Sequence, residues 1–241
     1  MSWHCKATGY YKDDSVVLNY PDADGMENCD QIYYILARRG WTVQAIVGLL
    51  VCIGFESGYN PWKWQGSIVP STSNYTGTVG NKGYGLVQWD PGSYNNLVEG
   101  DHQNKYIDNP YAIHKPGYGP NFSDVVGSYY DGYAQMLYLN QYGHVGQYYD
   151  SYNTYYSRIA TTFTAYRTST ADCWDLCETW TQNFERAQGS LNPQRRAERQ
   201  TLAQALWPVF NGKPVLPPDQ PDNIAWLLFI MKANNFGGGI I

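Results

Sequence analysis

The chain has 241 residues and a formal net charge of −5, and only 15% of its residues are charged, against roughly 25% in ordinary domains. That length suits one large domain or two small ones. The acidic balance argues against nucleic acid as a partner, which wants a basic patch. It also denies the protein long-range attraction to anionic cell-wall polymers.

Something other than charge must cover the surface. The candidates are 23 Tyr, 9 Trp and the many uncharged hydrogen-bonding residues. Such a surface suits carbohydrate, whose rings stack on aromatic faces while a phenol or indole donates a hydrogen bond. Most of the tyrosines are read more simply, as stand-ins for Phe at half-buried positions.

Residues 1–25 are irregular and polar-aromatic and read as an N-terminal arm. From 27 to 39, Ile32, Ile35 and Leu36 recur at helical spacing and Gly40 follows as a stop. Thr42 is placed to cap a helix over 43–57 that is apolar nearly all round, as a central helix is. Residues 58–100 are rich in turn formers. Within them 84–89 has the best strand pattern, and 80–83 reads as its turn, so a small β-hairpin is predicted. An amphipathic helix follows over 123–142, then one through 146–166 with Tyr148, Tyr152 and Tyr155 on one face. Another spans 173–184. Asn192 and Pro193 supply the cap and first-turn proline of a last helix that should stop at Pro208. Residues 211–222 form a proline-rich connector. The apolar segment 223–241 is too short to span a bilayer. No internal repeat is present.

Five cysteines, an odd number, match neither a disulfide framework nor a zinc site. They read as core thiols, and the start at Met1 is no secretory leader. A reducing cytoplasm is therefore the expected place of synthesis, and the sequons at Asn74 and Asn121 carry little weight. His4, His102, His114 and His144 are scattered in polar segments and read as surface residues. No metal or cofactor is expected. No Ser-His-Asp, Cys-His or HExxH arrangement is readable.

Glu56 stands out. It ends the apolar run 46–55 and precedes the breakers at 57–61. A carboxylate is costly to bury unless paired or neutralised, and glycosidic cleavage needs a carboxylic acid still protonated near neutral pH. The following segment could line a groove around it. Gln88 offers donor and acceptor to sugar groups, and Trp89, Tyr84, Trp62 and Trp64 offer aromatic faces. Glu56 could instead be a buried structural acid, and Gln88 and Trp89 could simply pack the hairpin. Glu185 and Arg186 read first as a structural ion pair. A second catalytic carboxylate is not identifiable; Asp90 is nearest in sequence, with Asp101, Asp131 and Glu185 as fallbacks should Glu56 fail.

Several blocks together resemble the phage tail lysozymes, relatives of goose-type lysozymes and lytic transglycosylases. They are 40–42, the helix ending in Glu56-Ser57-Gly58-Tyr59-Asn60-Pro61, the segment 83–89, and Phe184-Glu185-Arg186 followed by the helix 195–207. Val51-Cys52 stands where the family usually has Gly-Asn, and Ala187 where it usually has Pro. The resemblance covers about 26–210. It implies an α+β, mainly α, lysozyme-like catalytic domain with a small β-hairpin flanking the substrate groove. It also implies a tail-tip muramidase of the virion, made in the host cytoplasm and acting on the host wall. Such an enzyme cleaves the β-1,4 bond between the amino sugars of peptidoglycan glycan strands, with Glu56 as general acid. A lytic transglycosylase of the same fold, or an inactive tail-tip plug or glycan-binding module, are the alternatives. The segment 223–241 is expected to dock on another tail protein or to insert shallowly in a membrane, with folding back on the domain as the alternative.

Overall fold

The computed structural model describes residues 3, 17–61, 63, 85–89, 129–142, 148–150, 153–186 and 191–214. Among these every helix or strand element is a helix. In order it forms α1 (Ala23–Ala37), α2 (Val43–Ser57), α3 (Tyr129–Tyr142), α4 (Tyr155–Ile159), α5 (Phe163–Arg167), α6 (Cys173–Trp180), a π turn (Thr181–Glu185) and α7 (Pro193–Phe210).

The apolar run of α2 makes it the centre of the domain. Every residue from Ala45 to Gly54 is buried, and the helix packs on α6, α7 and α1. Its start follows the sequence expectation: Thr42 Oγ1 accepts from the Ala45 amide at 3.2 Å. Gly48 lets α6 come close. A Cβ there would sit 2.9 Å from the Cys177 nitrogen and 3.0 Å from the Cys173 carbonyl oxygen, so the two backbones touch where a side chain would part them. One turn further on, Cys52 Sγ lies 3.6 Å from Cys177 Sγ and 3.4 Å from Thr181 Oγ1. Burial pushes the Cys52 thiol well up, as befits an inert packing thiol. Cys29, Cys173 and Cys177 are likewise buried and free.

A ring cluster closes one side of the core. Trp180 meets Tyr166 at 5.1 Å and Tyr148 at 5.9 Å, and Trp41 meets Phe163 at 5.5 Å. The polar ends of these rings are satisfied by backbone: Tyr166 Oη donates to the Ala45 carbonyl and Tyr148 Oη to that of Ala160.

Several predicted boundaries differ. α1 starts at Ala23 rather than 27, because the Asp22 carboxylate caps the Gly25 amide. Within the N-terminal arm, Trp3 is fully buried against Gly132, where a Cβ would overlap its ring. The predicted helix 146–166 is two short helices. Thr154 caps the first in a reciprocal box with Ser157, and Thr162 caps the second at Ala165. Hydroxyl caps of this kind compete with continuous helix. The expected tyrosine face dissolves with it: Tyr148 is buried, Tyr155 is 71% exposed, and Tyr152 lies outside the described residues. The last helix runs past Pro208 to Phe210. A proline in the final turn removes one amide from a helix that is already ending.

The predicted β-hairpin is not present among the described residues. Gly85–Gln88 is a tight turn and Trp89 a single bridge, while 80–84 lie outside them. Gly85 and Gln88 both have positive φ, 82° and 49°, a left-handed backbone that cannot run as a strand. Of the predicted helix 123–142, only 129–142 falls within the described residues. No helix among them is long and apolar enough to cross a membrane. The start of the proline-rich connector folds back on α1: Tyr33 Oη donates to the Lys213 carbonyl at 3.0 Å, and Lys213 pairs with Asp30.

Candidate active site

α2 carries its apolar face to Gly54 and then surfaces. Phe55 and Glu56 are half-buried while Ser57 is buried. Gly58 ends the helix in the left-handed conformation, its amide bonded to the Gly54 carbonyl at 3.1 Å. Glu56 therefore occupies the last turn of the central helix, half in the core and half out.

The segment after the helix is clamped in place from α3. Gln135, fully buried, donates from Nε2 to the Pro61 carbonyl at 2.7 Å and accepts the Leu86 amide on Oε1 at 2.8 Å. Its side chain fills the space over Gly85 that a Cβ would need. The Gly85 amide in turn reaches the Lys63 carbonyl at 2.9 Å. One glutamine thus joins the exit of α2 to the turn 85–88. No pattern in the sequence marked it.

Gln88 is held in this turn. Its Nε2 donates to the carbonyls of Gly85, at 2.8 Å, and Lys63, at 3.1 Å, and its Oε1 is buried without a hydrogen-bond partner among the described residues. Both donors of its amide group are thereby engaged by the fold. Trp89 corrects the expectation of a stacking face. It is 1% exposed, edge-on to Tyr138 at 5.2 Å and to Phe184 at 5.9 Å, so it offers no face to a ligand here. Trp62, Trp64 and Tyr84 lie outside the described residues, as do Asp90, Asp101 and the Asp131 side chain.

Phe184 continues the aromatic line from Trp89 to Trp180, on which it stacks at 4.3 Å. Trp180 Nε1 donates to Glu185 Oε1 at 3.0 Å. Arg186, the ion-pair partner expected from sequence, reaches the Tyr149 hydroxyl at 2.9 Å and lies over that ring at 5.1 Å. Glu185 is thus anchored by an indole within its own turn, while its neighbour turns to a tyrosine.

Electrostatics tie Glu185 to Glu56. Burial pushes the Glu56 carboxyl above its ordinary value, and the positive charges of Lys63 and Arg199 pull it back. Burial also pushes Glu185 well up, and the charge of Glu56 adds to that. The Trp180 hydrogen bond and Arg186 oppose the shift. Burial and like charge are two of the ordinary ways to keep an acid protonated.

Arg199 comes from α7. It is 5% exposed, and its Nε bonds Glu178 Oε1 at 2.6 Å. The other Glu178 oxygen lies 3.2 Å from Arg196 Nε. A sequence signal for it existed. Arg199, Leu202, Ala203 and Leu206 follow the i, i+3, i+4, i+7 stripe of a buried helix face, so an arginine stands at a core position.

Among the described residues no cluster of His, Cys, Asp or Glu is built to hold a metal ion. What the site contains is a half-buried carboxyl at a helix exit, a second carboxyl that feels its charge, two cations and a clamped turn. The sequence model of the phage tail lysozyme family matches residues 27–210.

Proposed function

Because the chain belongs to the phage tail lysozyme family, a family of peptidoglycan-degrading phage proteins, we propose that it is a tail-tip glycoside hydrolase. It cleaves the β-1,4 bond between the two amino sugars of the host wall. Glu56 protonates the departing sugar oxygen, and water takes the sugar left behind.

The observation that carries this reading is the placement of Glu56. A general acid must keep its proton near neutral pH and still reach the substrate. The last turn of α2 meets both needs: burial raises the carboxyl, and half-exposure leaves it open to a ligand. The C-terminal end of a helix also disfavours a carboxylate there. The clamped turn 85–88, with its buried unpaired Gln88 Oε1, gives the substrate a rigid neighbour. Trp62, Trp64 and Tyr84 remain the candidates for stacking on the glycan. The segment 223–241 supplies the attachment to another tail protein.

The test is digestion of purified peptidoglycan with mass analysis of the products. A reducing end on each fragment indicates hydrolysis. An anhydro end indicates a transglycosylase, in which the sugar's own 6-hydroxyl replaces water. Glu56→Gln keeps shape and hydrogen bonding but has no proton to give, and is expected to lower the rate by roughly 100- to 10,000-fold with the fold intact. Digestion by Glu56→Gln at near the normal rate removes Glu56 as the acid. Binding of glycan without any cleavage by the unaltered protein makes the domain a plug or binding module instead.

A further inference from the structure

α4, α6 and α7 meet at the surface in a platform of three rings and one guanidinium. Tyr155 is 71% exposed. It stands edge-on to Tyr156 at 5.1 Å, and Tyr156 meets Trp174 at 6.1 Å. The Arg196 guanidinium lies 4.7 Å over the Tyr156 ring and 6.0 Å over that of Trp174. Tyr156, Trp174 and Arg196 are each half-buried. The platform is fixed from below. Arg196 Nε lies 3.2 Å from Glu178 Oε2, and Glu178 is fully buried with its other oxygen on Arg199. Thr179 Oγ1 donates to the Tyr156 carbonyl at 2.7 Å. Among the described residues no acceptor takes a hydrogen bond from the two terminal nitrogens of Arg196. Arg195 beside it is paired with Glu198 at 3.1 Å.

We propose that this platform is a second glycan-binding surface, separate from Glu56, which holds a peptidoglycan strand by stacking a sugar ring on Tyr155 and a stem-peptide carboxylate on Arg196. This rests on the reading of the substrate as peptidoglycan. The ligand follows from the chemistry of the groups. An exposed ring backed by a second ring offers its face to sugar C–H groups. A planar guanidinium with donors to spare fits a carboxylate. Peptidoglycan joins the two, a glycan whose peptides carry carboxylates; chitin has a like amino-sugar backbone and no carboxylate. Asp172 and Asp175, at the start of α6 beside Trp174, disfavour a polyanion. Groups already held in place lose little freedom on binding. The net charge of −5 gives no long-range pull toward an anionic wall, so a short-range hold of this kind suits an insoluble polymer. The surface also adjoins the acid. Arg196 stands one turn before Arg199 on α7, and the charge of Arg199 reaches Glu56.

The experiment measures co-sedimentation of the full chain with purified peptidoglycan sacculi and with insoluble chitin, in the cold and in the Glu56→Gln background so that the polymer stays whole. Tyr155→Ala changes an exposed side chain and should keep the melting temperature. It should weaken binding to both polymers roughly tenfold, and Tyr155→Phe should restore it. Arg196→Gln should weaken binding to sacculi and leave chitin binding alone. Should Arg196→Gln fail to fold, sacculi with amidated carboxylates take its place. Those should be bound less tightly than native sacculi, whereas net charge alone predicts the reverse for an acidic protein. A folded Tyr155→Ala that binds sacculi as tightly as its parent overturns the proposal; if it also fails to join the tail, the face is a contact with another tail protein. Amidated sacculi bound as tightly as native ones overturn it too. Cleavage is read separately: an unaltered protein that binds through this face and cuts nothing overturns the hydrolase reading and leaves the surface standing.

Discussion

Glu56, the acid of the proposed reaction, would trade stability for chemistry. Its carboxyl is raised by burial, so the unfolded chain ionises at lower pH than the folded one. Below the unfolded value, near 4.3, both states hold the proton and its contribution to stability is whole. As pH rises through the folded value that contribution is lost. Glu56→Gln removes the loss. Its melting temperature should match the unaltered protein below about pH 4 and exceed it at pH 8. A rise of ~2–4 °C is what about 1 kcal/mol amounts to in a chain of this size. Calorimetry at the two pH values checks this, and a melting temperature lowered at pH 8 contradicts the burial argument. The same side chain would then be the weakest for the fold and the strongest for the reaction, as strained active sites are.

At the scale of elements, the turn 85–89 and the π turn 181–185 do what neither periodic pattern announced. Trp89 holds Phe184, Phe184 stacks on Trp180, and Trp180 bonds Glu185. Trp89 therefore acts on the site from inside the core. Trp89→Ala should cost about 3–5 kcal/mol of stability, the usual loss for a large buried ring. Denaturant unfolding measures this. A stable Trp89→Ala variant that has lost only glycan affinity would restore the ring to the substrate surface. The sequence pattern was most legible where an element was long and clearly started: α2, apolar nearly all round with its Thr42 cap, and α7 with Asn192 and Pro193. It was least legible where short caps broke a helix at 160–162, or where positive φ at Gly85 and Gln88 turned an alternating run into a turn. Alternation reads the side-chain spacing and is blind to the backbone hand.

For the whole molecule, the core reaches into segments that look peripheral. Trp3 sits under α3, and Lys213 ties the connector to α1 through Asp30 and Tyr33. The stretch that can be removed without touching these contacts begins at 215. A chain ending at Pro214 should keep its melting temperature within a few degrees and still digest peptidoglycan in solution, while failing to join the virion. Thermal unfolding and incorporation into tails test the two halves. A large fall in melting temperature would make 223–241 part of the core.

Read by itself, the chain determined a mainly helical domain, its central helix, the carboxyl at that helix's exit and the family likeness. Each of these follows from local causes: apolar periodicity, a threonine cap, a glycine stop, a carboxyl beside an apolar run. Tertiary structure alone decided which charges surround Glu56. Lys63, Glu185 and Arg199 come from the loop after α2, the π turn and α7, and no spacing along the chain reports their meeting. It also decided that Trp89 points inward and that Gln135 holds the turn. Burial and charge act through space, so the environment that makes a carboxyl an acid belongs to the fold.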